Sequence, residues 1–366
     1  MNVGRASKSF SVLIMAGGTG GHVYPALAVA DSLRSDGNDV VWLGVRHGLE
    51  ARLVPRAGIE LRFVNIAGVR GKGTLGWLLA PFKLALAVLQ ALIVVWRVRP
   101  AVVLGMGGYA SGPGGIAAWL LRRPLLIHEQ NAVPGLTNRL LARFATVVME
   151  AFPGSFPAKF GAVHTGNPVR MDIAALPQSD EDHREANDAL HLLVLGGSQG
   201  AKGINDVVPR TLEKLRVSSP IEVWHQTGER HLSGTRELYS QLSLDTEPCA
   251  YIDDMCAAYG WADLAVCRSG AMTVAELAAA GVPAVLVPFP HAVDDHQTAN
   301  ANYLVDAGAA VVVAESSLEP NRLAELVHEL AQTGQRLAKM ARAARTCALP
   351  DAAVHVARLC REVAHA

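Results

Sequence analysis

Four turns in this chain of 366 residues place glycines where an apolar, strand-like run gives way to a helix-like one. They are Gly17-Gly18-Thr19-Gly20-Gly21-His22; Gly105-Met106-Gly107-Gly108-Tyr109-Ala110-Ser111-Gly112; Gly196-Gly197-Ser198-Gln199-Gly200-Ala201-Lys202-Gly203; and Arg268-Ser269-Gly270-Ala271. Glycine lets a ligand approach the backbone closely, and a helix start offers unpaired N–H groups carrying partial positive charge. The chemistry that suits such a turn is phosphate or pyrophosphate binding. A single glycine turn can equally be a tight strand-to-helix connection. Four in one chain weaken that bland explanation.

Two common phosphate sites fail on detail. A P-loop needs Gly-Lys followed by Ser or Thr, and none of the turns has it. A dinucleotide site needs an acidic residue at the end of the second strand to hold a ribose. That strand ends Trp42-Leu43-Gly44-Val45-Arg46, without a carboxylate. A mononucleotide-sugar pyrophosphate remains. A carboxylate for its ribose occurs in Ser269-Gly270-Ala271-Met272-Thr273-Val274-Ala275-Glu276-Leu277, where Glu276 lies about one and a half turns into a helix. A carboxylate there can accept from both hydroxyls of one ribose.

The elements that must carry these turns alternate between β-rich and helical runs, the pattern of parallel sheets covered by helices. The first half has six strand-like runs, at residues 12–16, 40–44, 61–65, 102–105, 125–128 and 146–150. The second half has another six, at 190–195, 222–226, 250–253, 264–267, 284–288 and 310–313. Two Rossmann-like α/β domains in tandem are expected, covering residues 1–167 and 168–349, with a helix at about 350–366 packing back on the first. The polar, acidic stretch 178–188 follows the boundary as the exposed segment near the junction.

Lys plus Arg and Asp plus Glu number 33 each, so no bulk positive charge is available for a nucleic-acid partner. Five cysteines without a C-x-x-C pair read as reduced thiols of a cytosolic protein. The apolar run at 12–16 is too short for a signal peptide. Residues 75–96 form a longer apolar segment, interrupted by Pro81, Lys83 and Gln90. Its second part, 85–96, reads as a helix packed against a sheet. In its first part Trp77, Leu78, Leu79 and Phe82 sit beside Arg70, Lys72 and Lys83, with Arg97 and Arg99 beyond, a composition suited to shallow docking on anionic lipid.

The glycine loop with His22 and Pro25, the run 105–115, His128-Glu129-Gln130-Asn131, Gly166-Asn167-Pro168-Val169-Arg170, residues 196–201, 269–276, Pro288-Phe289-Pro290 and Asp295-His296-Gln297 occur in that order. Together they resemble the peptidoglycan N-acetylglucosaminyltransferase family. The resemblance implies a GT-B fold, two Rossmann-like domains with parallel sheets facing across a cleft. It implies inverting transfer of N-acetylglucosamine from UDP-N-acetylglucosamine to the 4-hydroxyl of the muramoyl sugar of lipid I, undecaprenyl-pyrophosphoryl-MurNAc-pentapeptide, giving lipid II. The implied donor-site residues are Thr19, Gly20, Gly21, Asn131, Arg170, Ser198, Ile252, Ala271, Met272, Thr273, Val274, Ala275, Glu276 and Gln297. No cofactor is implied, and the place of action is the cytoplasmic face of a bacterial inner membrane, as a peripheral protein.

An inverting transfer needs a base at the acceptor hydroxyl and stabilisation of departing UDP. His22 is the first base candidate, because it closes a glycine loop at a helix start whose dipole favours neutral imidazole. Glu129 is the second, at the end of a buried strand. Helix starts at 198–203 and 269–273, with Arg170, can meet the departing charge, and backbone groups of Ile252 can meet the uracil edge. The pairs Asp253-Asp254 and Asp294-Asp295 read as helix caps rather than metal ligands. Rival readings are another membrane-associated GT-B glycolipid glycosyltransferase, a UDP-N-acetylglucosamine 2-epimerase on the same fold, and a nucleotide-sugar sensor.

Overall fold

The structure, a computed structural model, describes residues 9–66, 80–177, 189–197, 200–216, 220–332 and 334–366. The acidic stretch 178–188, Ser198, and Arg70, Lys72, Trp77, Leu78 and Leu79 lie outside the described residues. Two compact units divide the chain: residues 1–170 together with 351–366, and residues 171–350.

The amino-terminal unit is built on seven parallel strands, β1 Ser11–Met15, β2 Asp39–Gly44, β3 Glu60–Phe63, β4 Val102–Gly105, β5 Leu125–Glu129, β6 Val147–Glu150 and β7 Val163–His164. Their order is β3-β2-β1-β4-β5-β6-β7. The helices are α1 Gly20–Ser35, α2 Glu50–Arg56, α3 Ala80–Val98, α4 Ser111–Leu120 and α5 Leu136–Leu141. A parallel sheet covered on both faces needs apolar side chains in both directions, and β1 supplies them by simple alternation. Val12 and Ile14 pack with Val23, Ala26, Val29 and Leu33 of α1. Ala353, Val356, Ala357 and Cys360 of the C-terminal helix Ala352–Ala364 belong to that same core. Leu13 and Met15 point the other way, into a core shared with Ala91 and Val95 of α3 and Ala117 and Ala118 of α4.

The carboxy-terminal unit has five parallel strands, β8 Leu190–Leu195, β9 Ile221–Gln226, β10 Leu264–Cys267, β11 Ala284–Leu286 and β12 Ala310–Val312, in the order β12-β11-β10-β8-β9. Its helices are α6 Met171–Ala174, α7 Lys202–Leu215, α8 Leu232–Gln241, α9 Met255–Trp261, α10 Ala271–Ala280, α11 His296–Asp306, α12 Pro320–Ala331 and α13 Gly334–Thr346. Strand order reverses between β1 and β4 in the first sheet and between β8 and β10 in the second. In open α/β sheets ligands bind at such switch points, beyond the carboxyl ends of the strands. All four glycine turns follow one of these four strands.

The sheets hold seven and five strands where the sequence pattern suggests six and six. The added strand, β7, is two residues long at a sheet edge, too short to show a periodicity. The segment 250–253 is not a strand. The chain before it meets β9 in an isolated bridge at Cys249 (Cys249 N–H to His225 O, 2.9 Å; Thr227 N–H to Cys249 O, 2.9 Å), Ala250 O accepts from Gly228 N–H (3.1 Å), and the chain then turns into the cap of α9.

Helix α3 packs against the first sheet, as its sequence pattern suggests, but along a narrow inner face. Its fully buried residues are Ala87, Ala91 and Val95, spaced four apart on one line, with Leu92 and Val94 packed partly buried beside them. Phe82, Leu86, Leu89, Ile93 and Trp96 are all exposed. At 3.6 residues per turn these five fall within roughly 40° of one line on the opposite face. Small residues let the helix lie close to its neighbours, so the large ones are left outside.

Candidate functional site

In the amino-terminal unit, β1 and β4 end side by side and both run into glycines. Gly108, at φ +83°, lies so close to the Gly17 carbonyl that a Cβ there would collide with backbone. Only glycine lets these two loops touch. The first loop leads into α1 through Thr19, whose hydroxyl makes no capping bond to the helix. The early N–H groups of α1 therefore lack a side-chain cap.

His22 is half-buried in the first turn of α1, and its Nδ1 lies 2.8 Å from Oε1 of Gln130. The flat face of Gly107 makes room for the ring: a Cβ at Gly107 would stand 2.7 Å from Nδ1 and 2.8 Å from Cε1. Gln130 follows β5 and is 1% exposed. Its Nε2 donates to Nδ1 of His128 (3.0 Å) and to the His128 carbonyl (3.2 Å), and its own carbonyl accepts from Asn167 Nδ2 (3.0 Å). His128 is fully buried and donates from Nε2 to the Gly166 carbonyl at 2.9 Å. Burial pushes its imidazole down to about 4, so the ring is neutral at ordinary pH.

Glu129, the other base candidate, is 2% exposed and already saturated with donors. Oε1 accepts from the Asn131 N–H (3.0 Å) and Asn131 Nδ2 (3.1 Å). Oε2 accepts from the Gly135 N–H (3.0 Å) and Asn138 Nδ2 (2.9 Å). The carboxylate organises the loop from β5 to α5. With four donors on its two oxygens it has little reach toward a substrate.

Glu50 is a residue that sequence reasoning missed. At the start of α2 it is wholly buried, and it accepts from the Gly18 N–H (3.0 Å) and the Val45 N–H (2.9 Å). Gly17, Gly44 and Gly48 each abut it with no room for a Cβ. One carboxylate thus fixes the loops after β1 and β2.

The carboxy-terminal unit repeats the device. Gly228, after β9, packs on Gly200, after β8: a Cβ at Gly228 would stand 2.7 Å from Gly200 N and 2.8 Å from its Cα. The starts of α7 and α10 have Ala201 and Gly270 as caps, neither with a side-chain bond to the helix. Along α10, Ala271 and Val274 are buried and can meet a ligand only through backbone. Met272, Thr273, Ala275 and Glu276 are half-buried. Tyr259 of α9, itself buried, donates its hydroxyl to Glu276 Oε2 at 2.9 Å and so aims the carboxylate.

Gln297 is the second residue of α11 and accepts the Phe289 N–H on Oε1 at 2.9 Å, which holds the Pro288-Phe289-Pro290 turn. Just before it, Asp294 (φ 54°) and Asp295 (φ 49°) are consecutive non-glycine residues in the left-handed region, local strain of the kind found at functional sites. Ile252 is buried with its N–H 3.4 Å from Gln226 Oε1, a long bond. Arg170 ends the first segment of the amino-terminal unit and is half-buried. Asp254 caps α9 by accepting the Ala257 N–H at 2.9 Å, whereas Asp295 takes the Thr298 hydroxyl (2.7 Å) and makes no bond to the helix backbone.

Two further polar residues organise this unit. Arg268 is held by Glu315 (2.8 Å) and the carbonyls of Val287 and Pro288, with its guanidinium over Phe289. His225 is buried between Tyr239 and Asn205, which in turn holds the Thr227 carbonyl, and burial pushes its imidazole down to about 3. A cavity of about 530 Å³ lined by Ser11, Asp39, Arg62 and Ile93 opens instead at the amino-terminal ends of β1–β3, away from every glycine turn.

Residues 12–150 match the glycosyltransferase family 28 N-terminal domain and residues 191–356 the glycosyltransferase family 28 C-terminal domain. A UDP-N-acetylglucosamine--N-acetylmuramyl-(pentapeptide) pyrophosphoryl-undecaprenol N-acetylglucosamine transferase of Nitrosococcus oceani is 56% identical over 353 residues, 96% of this chain and 98% of the relative. The crystal structure of Acinetobacter baumannii MurG aligns with a TM-score of 0.82 at 42% identity, covering 96% of this chain and 99% of that one. A Listeria monocytogenes protein described as a UDP-N-acetylglucosamine 2-epimerase aligns at 15% identity with a TM-score of 0.67, over 95% of each chain, and shares the fold alone.

Proposed function

The chain belongs to glycosyltransferase family 28 and, within it, to the MurG transferases, and from that premise we propose that it makes lipid II. Its fold is of the GT-B type, two Rossmann-like domains in tandem. N-acetylglucosamine moves from UDP-N-acetylglucosamine to the 4-hydroxyl of the muramoyl sugar of lipid I, with inversion. The observation that carries the reading is the carboxyl edge of the second sheet, where glycine turns after β8 and β10 open onto two helix starts whose cap residues, Ala201 and Gly270, make no side-chain bond, beside a carboxylate aimed by Tyr259.

The carboxy-terminal unit is the donor-binding one. Backbone N–H groups at the starts of α7 and α10 take the pyrophosphate, with Ser198 and Arg170 beside it. Ala271 and Val274 serve through backbone, and Met272, Thr273 and Ala275 line the approach. Glu276 accepts from the ribose hydroxyls, backbone groups of Ile252 meet the uracil, and Gln297 contacts the donor from the start of α11. Glu276→Ala is expected to weaken UDP binding by roughly 1.5–3 kcal/mol, the scale for hydrogen bonds to a charged group. Calorimetry with UDP reads this directly, and an unchanged affinity would remove Glu276 from the site.

The amino-terminal unit is the acceptor- and membrane-facing one. His22 is the base, and Thr19, Gly20, Gly21 and Asn131 are donor contacts. Glu129, saturated by four donors, shapes the loop that carries Asn131. The deciding experiment offers UDP-N-acetylglucosamine with lipid I, with diacylglycerol, or alone. Lipid II should form only in the first case; a glycosylated diacylglycerol, or UDP-N-acetylmannosamine formed without acceptor, would replace this reading.

The lipid-facing surface is the outer face of α3. Of the described helices, α3 alone is long and apolar enough to cross a membrane. Its Ala87–Ala91–Val95 line is buried in the unit and Gln90 accepts the Asn65 N–H (2.7 Å), which suits a helix lying on a bilayer surface better than one inside it. Lys83, Arg97 and Arg99 flank its exposed stripe, matching anionic headgroups. Leu89→Asp with Ile93→Asp should lower binding to phosphatidylglycerol vesicles by about 10–10³-fold, at roughly 1–2 kcal/mol for each half-inserted side chain. Sedimentation with vesicles measures it, and full binding by the double variant would place the contact elsewhere.

A further inference from the structure

We propose that Gln130 is a positioning residue that fixes the tautomer of His22, holding the proton on Nδ1 and leaving the Nε2 lone pair to take the acceptor proton. The inference deepens the reading of His22 as the base and rests on it. It begins at the far end of a chain of hydrogen bonds. The Gly166 carbonyl can only accept, so His128 must present N–H from Nε2. Fully buried and neutral, His128 carries one ring proton, so its Nδ1 is an acceptor. Gln130 answers with its amide nitrogen, which also reaches the His128 carbonyl.

Those two acceptors settle which end of the Gln130 amide points where. A reversed amide would set its oxygen against a carbonyl oxygen and a ring lone pair at once, leaving buried polar atoms opposed. The Asn167 bond to the Gln130 carbonyl pins the backbone from which the side chain extends. Oε1 therefore faces His22, and at 2.8 Å it can only accept, so Nδ1 of His22 is the protonated nitrogen. The close approach of Gly107 to Nδ1 and Cε1 covers that edge independently, so no acceptor sugar can reach Nδ1. A free histidine side chain favours the proton on Nε2, the tautomer that could not act as base in this position. Gln130 reverses that preference.

In the transfer step the 4-hydroxyl oxygen bonds to the anomeric carbon while its proton passes to Nε2 of His22. The bond from that carbon to the phosphate oxygen breaks, and its electron pair leaves with UDP. The imidazolium so formed keeps its Nδ1–H on the Gln130 oxygen, whose dipole stabilises the new charge.

The test uses the full chain with 15N-labelled histidine, in spectra correlating ring nitrogens with ring protons at a pH where His22 is neutral. His22→Asn identifies the His22 signals. The unsubstituted protein should show a pyrrole-type Nδ1 and a pyridine-type Nε2 at His22, whatever the folding of any variant. Gln130→Leu should move His22 toward the Nε2–H form and lower kcat ~10–10²-fold, part of what a general base contributes. The KM for UDP-N-acetylglucosamine should hold. A proton on Nε2 of His22 in the unsubstituted protein, or a Gln130→Leu protein with unchanged tautomer and kcat, overturns the proposal. Undiminished turnover in His22→Ala would instead overturn the base assignment, a separate result from the tautomer.

Discussion

Replacing His22 with alanine should lower turnover by ~10²–10⁴-fold, the contribution of a well-placed general base. Affinity for UDP-N-acetylglucosamine should change little, because no donor contact is assigned to the His22 side chain, and an interaction made only in the transition state lowers kcat and kcat/KM together. Three features concentrate the effect on this side chain. It stands at an uncapped helix start, its ring is seated on Gly107, and its Nδ1 is engaged by Gln130, so the ring is held in one orientation. Glu129 gives the contrast. Removing a carboxylate that satisfies four donors loses three part-buried hydrogen bonds and one to buried Asn138, so Glu129→Ala should first appear as a loss of stability. A His22→Ala enzyme within about fivefold of the parent, beside a folded Glu129 variant that is dead, would exchange the two roles.

Glu50→Ala should cost the amino-terminal unit roughly 3–6 kcal/mol, from two part-buried hydrogen bonds to a charged carboxylate lost at about 1.5–3 kcal/mol each. Melting should fall by on the order of 10 °C, since each kcal/mol moves a unit of this size by about 2–4 °C. The two abandoned groups, Gly18 N–H and Val45 N–H, belong to the loops after β1 and β2, so the loss is concentrated where His22 is positioned. Glu50→Gln keeps one acceptor oxygen but turns an amide nitrogen toward the second N–H, so it should fall between the parent and Glu50→Ala. Thermal unfolding checks the order. Equal stability of all three proteins would mean that the carboxylate is not what holds these loops.

How far the sequence discloses this arrangement depends on how local each signal is. The glycine turns lie within a few consecutive residues, and the apolar runs before them follow from burial on both faces of a parallel sheet. Glu50 leaves no such trace. Its meaning comes from Gly17, Gly44 and Gly48, which only the folded chain brings to one carboxylate, and an acidic residue at a helix start reads by itself as solvent-facing. Tyr259 and Arg268 are hidden in the same way, as each acts on a residue 17 or more positions away. Gln130 stands in a recognisable run, but its task depends on Gly166 and His22. Helix α3 was legible in principle. Ala87, Ala91 and Val95 mark its inner line by their small size, but overall apolarity draws the eye to core packing of the whole helix.

The C-terminal helix belongs to the core beneath α1, and this bears on how the polypeptide takes shape as it is made. A ribosome delivers residues 171–350 before it delivers Ala352–Ala364. The unit begun first is therefore finished last, and until then Val23, Ala26 and Leu33 lack the apolar cover that Val356, Ala357 and Cys360 provide. The later-made unit has all its strands in hand before the earlier one can close, reversing the usual order of domain completion during synthesis.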